Sequence, residues 1–283
     1  MTTITNQYMD SITIQVINIE LHQEQFIYFY EMQSLLFLSA DIQSIEDMYK
    51  SDRIVSISNT QETIIYSYHN GSMDDTTYTT FKFVGLKSYN HKKDKRKSKV
   101  LNRFVDFLIK HDIEYRLKVI DIAYDFAINK SIKNFFPIRT NKQGLQSDVN
   151  DPFNYFESTT LYLEDKSIKK PSLKAYIYDK TVKNDLDEQI IRFEISIRNI
   201  DSKIVDYDSI LEHIKNQVSK YRLFYFDVIA ECNKNKWIYK KNYKVSRKLE
   251  KSIINSKGVE INLSISNDIT DFLSKFFCVG IYL

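Results

Sequence analysis

The sequence predicts an α+β protein with a largely antiparallel sheet and helices packed on one face. Segments of two-residue alternation follow one another along the chain, and three-and-four periodicity is inserted between groups of them. The 283 residues are 43% hydrophobic, 14% aromatic and 27% charged, with five Gly and three Pro. That composition can bury a core and excludes collagen-like, Pro-rich and disordered organisation.

The elements follow in chain order. Ile12, Ile14 and Val16 alternate as a strand does. Within 41–50, Ile42, Ile45 and Met48/Tyr49 have helical spacing. Residues 53–69 alternate well enough for a hairpin broken near Asn59, and 77–86 read as another strand. Ser98 is placed to cap a helix whose apolar face is Val100/Leu101, Phe104 and Phe107/Leu108. The next strand begins near Tyr115 and continues through Asp121 to Ile128. Residues 139–154 are polar with Gly and Pro, a loop by composition. Strands at 159–164, 173–180 and 190–198 come next. Ser209 and Glu212 then have the spacing of a capping box. Ile210, Ile214, Val218, Tyr221, Tyr225 and Val228 recur behind them at helical steps, which predicts one long amphipathic helix. A last helix over 268–277 shows Ile269, Phe272/Leu273 and Phe276. Residues 1–232 are expected to form the core, with 233–283 a basic C-terminal segment packed on it.

Charge is unevenly spread. Residues 87–103 hold eight Lys and Arg, Lys92, Lys93, Lys95, Arg96 and Lys97 among them, against the single acid Asp94. Residues 233–251 repeat that balance and interleave Lys236, Lys240, Lys241 and Lys244 with Trp237, Tyr239 and Tyr243. The formal net charge is only +3, so the remainder is acidic. Two basic stretches on an acidic body suit a polyanion, and aromatic rings among cations suit stacked bases. A solvated lysine-rich face would show the same pattern.

Several function classes are excluded. No Gly-rich phosphate loop, H-E-x-x-H, C-x-x-C or G-x-S-x-G is present, and the five His are scattered. Cys232 and Cys278 are too few and too far apart for a disulfide framework, and read as buried small hydrophobes. The first residues lack a signal peptide's pattern, and no apolar run approaches about 18 residues. A cytoplasmic, reducing location is therefore expected.

Three strands carry charge where a core strand normally does not. Alternation puts Asp121 and Asp125 on one face, opposite Ile120, Ile122, Tyr124 and Phe126. Those carboxylates lie roughly 13 Å apart along an extended chain. Arg192, Glu194, Ser196 and Arg198 share a face opposite Phe193, and Lys174, Tyr176, Tyr178 and Lys180 share another. Such a sheet either opens one face to solvent or builds a site there. Carboxylates from adjacent strands are oxygen ligands suited to Mg²⁺ or Mn²⁺. Flanking cations would stabilise a phosphoryl transition state, and a tyrosine in reach would be a nucleophile for phosphodiester transfer.

The same residues also resemble a known family. VIDIAYDFAI is similar to the R-x-D-[IL]-A-x-D strand of rolling-circle replication initiators of small plasmids and filamentous phages. These are the replication initiation factor, or Rep-trans, type, related to conjugative nicking relaxases. SLKAYIYDKTVKND resembles that family's S-hydrophobic-x-x-x-Y-x-K strand, and IIRFEISIRN its R-x-E-hydrophobic-x-[LI]-[RK] strand. Order and spacing agree over about residues 115 to 200.

The resemblance implies a diverged rolling-circle nickase-like core within 1–232. It also implies an enzyme that nicks and rejoins one origin strand by metal-dependent tyrosine transesterification. Asp121, Asp125 and Glu194 would hold the metal, with Arg192 and Lys180 near the phosphate. Origin DNA would be the partner, with a host helicase and a second copy of the chain as further partners. Two positions depart from the pattern. Val119 stands where the family has Arg, and Phe193 where some plasmid members have the nucleophilic tyrosine. Tyr178, on the Lys180 face, is the first replacement, and Tyr207, ahead of the long helix, the second. The alternative is an origin-specific DNA-binding protein with a degenerate nuclease site.

Overall fold

The computed structural model describes residues 6–18, 55–58, 63–73, 76–83, 86, 96–141, 144–145, 156–157, 160–163, 172–184, 186–200, 206–242 and 247–277. The helix expected over 41–50 lies outside them. Antiparallel sheets and helices make the fold α+β. The chain divides into two compact units. The first comprises residues 1–8, 122–198 and 208–273, and the second 9–121, 199–207 and 274–283.

In the second unit the strand order is β2 (Val55–Ser58), β3 (Thr63–Met73), β4 (Thr76–Phe83), β1 (Asn6–Ile17) and the start of β5 (Tyr115–Ala127). The expected hairpin and both flanking strands are thus present. Ile12 pairs with Phe83 and Ile14 with Phe81. Helix α1 (Arg96–Lys110) lays Leu101, Phe104 and Leu108 onto this core. The Phe104 ring sits 4.9 Å from Phe81 and 5.2 Å from Phe83. Because α1 begins at Arg96, Ser98 lies inside it and is not its cap.

In the first unit, β5 continues into a sheet ordered β5, β11 (Ile190–Arg198), β10 (Leu173–Asp179), β9 (Thr160–Tyr162) and β8 (Phe156–Glu157). A short helix, α2 (Lys180–Asn184), follows β10. A second sheet orders β13 (Val259–Ile261), β12 (Tyr221–Tyr225), β6 (Phe135–Asn141) and β7 (Gly144–Leu145). The expected loop over 139–154 therefore starts inside a strand. The helices of this part of the chain are α3 (Tyr207–Val218), α4 (Ile229–Asn242), α5 (Arg247–Asn255) and α6 (Asn267–Phe277), of which α4 and α5 share a core with this sheet.

The long helix from Ser209 to Val228 is corrected. Helix α3 already begins at Tyr207 and ends at Val218, and Tyr221–Tyr225 is strand β12, paired with both β6 and β13. Tyr221, Leu223, Phe224 and Tyr225 are all buried, so an aromatic-rich strand covered on both faces mimics helical spacing. The division expected at 232 also falls within an element, α4. Cys232, Ile238 and Tyr239 of α4 share a core with Phe136, Ile138, Phe224, Phe226, Leu249 and Ile253. Position 233 lies inside this helix. Among the described residues no helix is long and apolar enough to cross a membrane.

Candidate functional site

The site lies in the first unit, where the polar faces of β5, β10 and β11 meet. Register decides who faces whom: Tyr176 stands opposite Glu194, and Tyr178 opposite Arg192. Directly opposed and diagonal side chains on one sheet face are within reach of each other. Phe193 points the other way, its ring 6.3 Å from Tyr124 and 6.0 Å from Tyr221.

Arg192 is the centre, with 0% exposure. Its Nε donates to Asp125 Oδ1 at 2.7 Å and its Nη2 to Asp125 Oδ2 at 3.1 Å. Its Nη1 lies 4.0 Å from Glu194 Oε2. Burial pushes the guanidinium down to about 10, while Glu194 pulls it back up, so it remains charged at neutral pH. A buried cation held by a fork on one carboxylate, with a second carboxylate alongside, meets the condition for keeping charge inside a protein.

Phenols complete the arrangement. Tyr8 donates to Asp125 Oδ2 at 2.7 Å, and the Arg192 guanidinium lies 5.0 Å from the Tyr8 ring centre. Tyr178 donates to Glu194 Oε2 at 3.1 Å, and Tyr176 donates to Glu194 Oε1. The rings of Tyr176 and Tyr178 stack with centres 6.0 Å apart, and Tyr162 lies 5.9 Å from Tyr176. Lys180, the first residue of α2, places Nζ 5.8 Å from the Tyr178 ring centre. Tyr178 and Lys180 are buried, while Tyr176 is half-buried.

Of the residues expected from the sequence, Asp125, Arg192, Glu194, Tyr178 and Lys180 come together. Asp121 and Tyr207 belong to the second unit. Buried Asp121 accepts a hydrogen bond from Ser11 at Oδ2, and its Oδ1 has no hydrogen-bond partner. Among the described residues no three His, Cys, Asp or Glu side chains are grouped to hold a metal ion. The expected donor set of Asp121, Asp125 and Glu194 does not fit a divalent cation as arranged. Both Asp125 oxygens are taken by Arg192 and Tyr8, and a guanidinium lies between Asp125 and Glu194. The Arg192 fork is directed at Asp125.

Tyr8 and Tyr176 are the partners missed as site residues. Tyr176 was legible as a face-mate of Tyr178, whereas nothing separates Tyr8 from the other tyrosines among 20.

The basic stretches are only partly described. Lys92, Lys93, Lys95 and Lys244 lie outside the described residues, as do the side chains of Arg96, Lys97, Lys240 and Lys241. On α4, Trp237 is 60% exposed and Lys234 is exposed. Lys236 is half-buried beside the Cys232 thiol, which burial pushes up to about 11 against the pull of that ammonium.

No protein-family model matches the chain, and no curated protein matches it. Among solved structures it is similar to a rolling circle replication initiator protein from Geobacillus stearothermophilus. The TM-score is 0.38 at 11% identity, covering 89% of this chain and 96% of the other.

Proposed function

We propose that the chain initiates rolling-circle replication by nicking and rejoining one DNA strand through a tyrosine of the Glu194 site. One observation carries this reading: two phenols, Tyr176 and Tyr178, donate to a carboxylate that Arg192 ties to Asp125. A nucleophile within hydrogen-bond reach of a base, itself held by a third group, is the general form of an activated nucleophile.

In the cutting step the phenol oxygen of Tyr178, or of Tyr176 beside it, bonds to phosphorus as its proton passes to Glu194. The P–O3′ bond breaks, the 3′ oxygen takes a proton from solvent, and the 5′ phosphate stays on tyrosine. Rejoining reverses this, with the 3′ hydroxyl attacking the phosphotyrosine, so the diester bond is conserved without ATP. Lys180 over the Tyr178 ring favours the negative charge that grows on the phenol oxygen. Arg192 orients Glu194 and is a positioning residue.

Supercoiled plasmids carrying fragments of the DNA that encodes the chain test this reading. Incubated with the protein, with and without Mn²⁺, they should give nicked circles with a protein-linked 5′ end and a phosphotyrosyl peptide from β10. Nicked circles with a free 5′ phosphate would mean a plain endonuclease. A second reading, an origin-specific DNA-binding protein with a degenerate nuclease site, is favoured by the full engagement of Asp125 with Arg192 and Tyr8. Its signature would be origin binding without any nick.

A further inference from the structure

We infer that α5 is a duplex-reading helix whose basic face enters the major groove of DNA, a step that rests on the DNA-processing reading above but not on the tyrosine chemistry. The sequence of α5, RKLEKSIIN, buries Leu249 and Ile253 in the core formed with β6, β12 and α4. At about 100° per residue, Lys251 lies directly opposite the midpoint of that buried pair. Arg247 and Asn255 flank Lys251, and Ile254 and Lys248 sit just beyond them. All five are exposed. The one acid of the helix, Glu250, lies off to the side, 3.4 Å from Arg222. The outward face is therefore cationic with no acid in it.

Two further features suit this face to a groove. Ile254 is 73% exposed within the cationic arc. A major groove would offer it thymine methyl groups. The helix is also held firmly. Lys257 has φ 55°, Lys257 N–H donates to Ile254 O at 3.1 Å, and Gly258 N–H donates to Ile253 O at 2.9 Å, closing the C-terminus. Gly258 lies so close to the Phe226 ring that an added Cβ would stand 2.6 Å from it. A nine-residue helix is a rod about 14 Å long and about 10–12 Å across, and a groove about 12 Å wide admits that diameter. Charge complementarity makes duplex DNA the occupant.

The test is selection from a randomised duplex library with the full chain, followed by fluorescence anisotropy on the enriched duplex and a scrambled one. We expect one enriched motif. Lys251→Gln should weaken both duplexes alike and reduce the salt slope by about 1. Arg247→Ala should cost about tenfold on the enriched duplex and much less on the scrambled one. All substituted side chains are exposed, so unchanged circular dichroism confirms that the variants fold. No enriched motif, or binding and salt slope unchanged by Lys251→Gln, would overturn the assignment. The two readings also fail separately. Altered duplex binding by α5 variants, with no tyrosine–DNA adduct from the parent chain, keeps α5 as reader and removes the nicking chemistry. An adduct from the parent, with α5 variants binding normally, does the reverse.

Discussion

Arg192 has its guanidinium buried between Asp125 and Glu194, and neither carboxylate is replaceable without consequence. Breaking a buried pair leaves one uncompensated charge and typically costs about 3–5 kcal/mol, whereas removing both partners costs far less. Arg192→Leu and Asp125→Leu should each show that loss in urea unfolding, and the double variant, which still leaves Glu194 without its cation, should lose less than the sum of the two. Equal, additive losses would show that the two charges are not coupled. Glu194→Gln addresses the chemistry instead. It keeps the shape and still accepts from a phenol, but it takes no proton. Adduct formation should fall by about 10²–10⁴-fold while DNA binding stays within a few-fold. A parallel loss of binding would mean that Glu194 is structural. Much of this was legible, since alternation alone put Arg192 and Glu194 on one face and Phe193 on the other. The Asp125–Arg192 fork was not legible, because 67 residues separate the partners and no local pattern encodes a pairing of that range.

Among the elements, strands with one apolar and one ionisable face were read well, as β5, β10 and β11 show. Those buried on both sides were not. In β12, Leu223 and Phe224 are both buried, so its apolar residues carry no two-residue signal, and their spacing continued the pattern of α3. Helix α5 was seen only as charge because Arg247, Lys248 and Lys251 cover its outer face. What fixes α5 is local: its left-handed cap residue and the glycine behind it. Gly258→Ala places a methyl group 2.6 Å from two Phe226 ring atoms and 3.0 Å from Ile253 Cγ2. Phe226 is itself buried, so the ring cannot swing into open space. Overpacking of this kind costs about 1–3 kcal/mol, which should appear as a melting temperature lower by several degrees. An unchanged melting temperature would show that Phe226 yields freely and that α5 is less firmly held than its contacts imply.

Over the whole molecule, the unusual tyrosine content sets a limit on alkaline stability. Burial and Asp106 push Tyr115 up to about 12, and burial and Asp227 push Tyr225 up to about 12. Burial raises Tyr124 further, with Gln7 opposing it. Each of these phenols keeps its proton in the folded chain at a pH where the unfolded chain, titrating near its ordinary value of about 10, has lost it. The folded state then binds more protons than the unfolded one, so stability falls as pH rises. Their contribution is complete below pH 10 and is lost as pH climbs through about 12. The Cys232 thiol, raised from 9.0 to about 11, adds the same sign over a lower window. Arg192 works in the opposite direction. Its folded value, about 10, lies below the ordinary 12.5, so across that interval the unfolded chain holds the extra proton and this group's contribution rises with pH. Among the described residues one guanidinium stands against three phenols and a thiol, so the phenols decide the sign. The urea midpoint should stay level up to about pH 9 and then drop steadily towards pH 12. Tyr115→Phe should make that drop shallower, while absorbance of ionised tyrosine appears in step with unfolding. A midpoint that holds steady or climbs between pH 10 and 12 would mean that these phenols ionise freely in the folded chain.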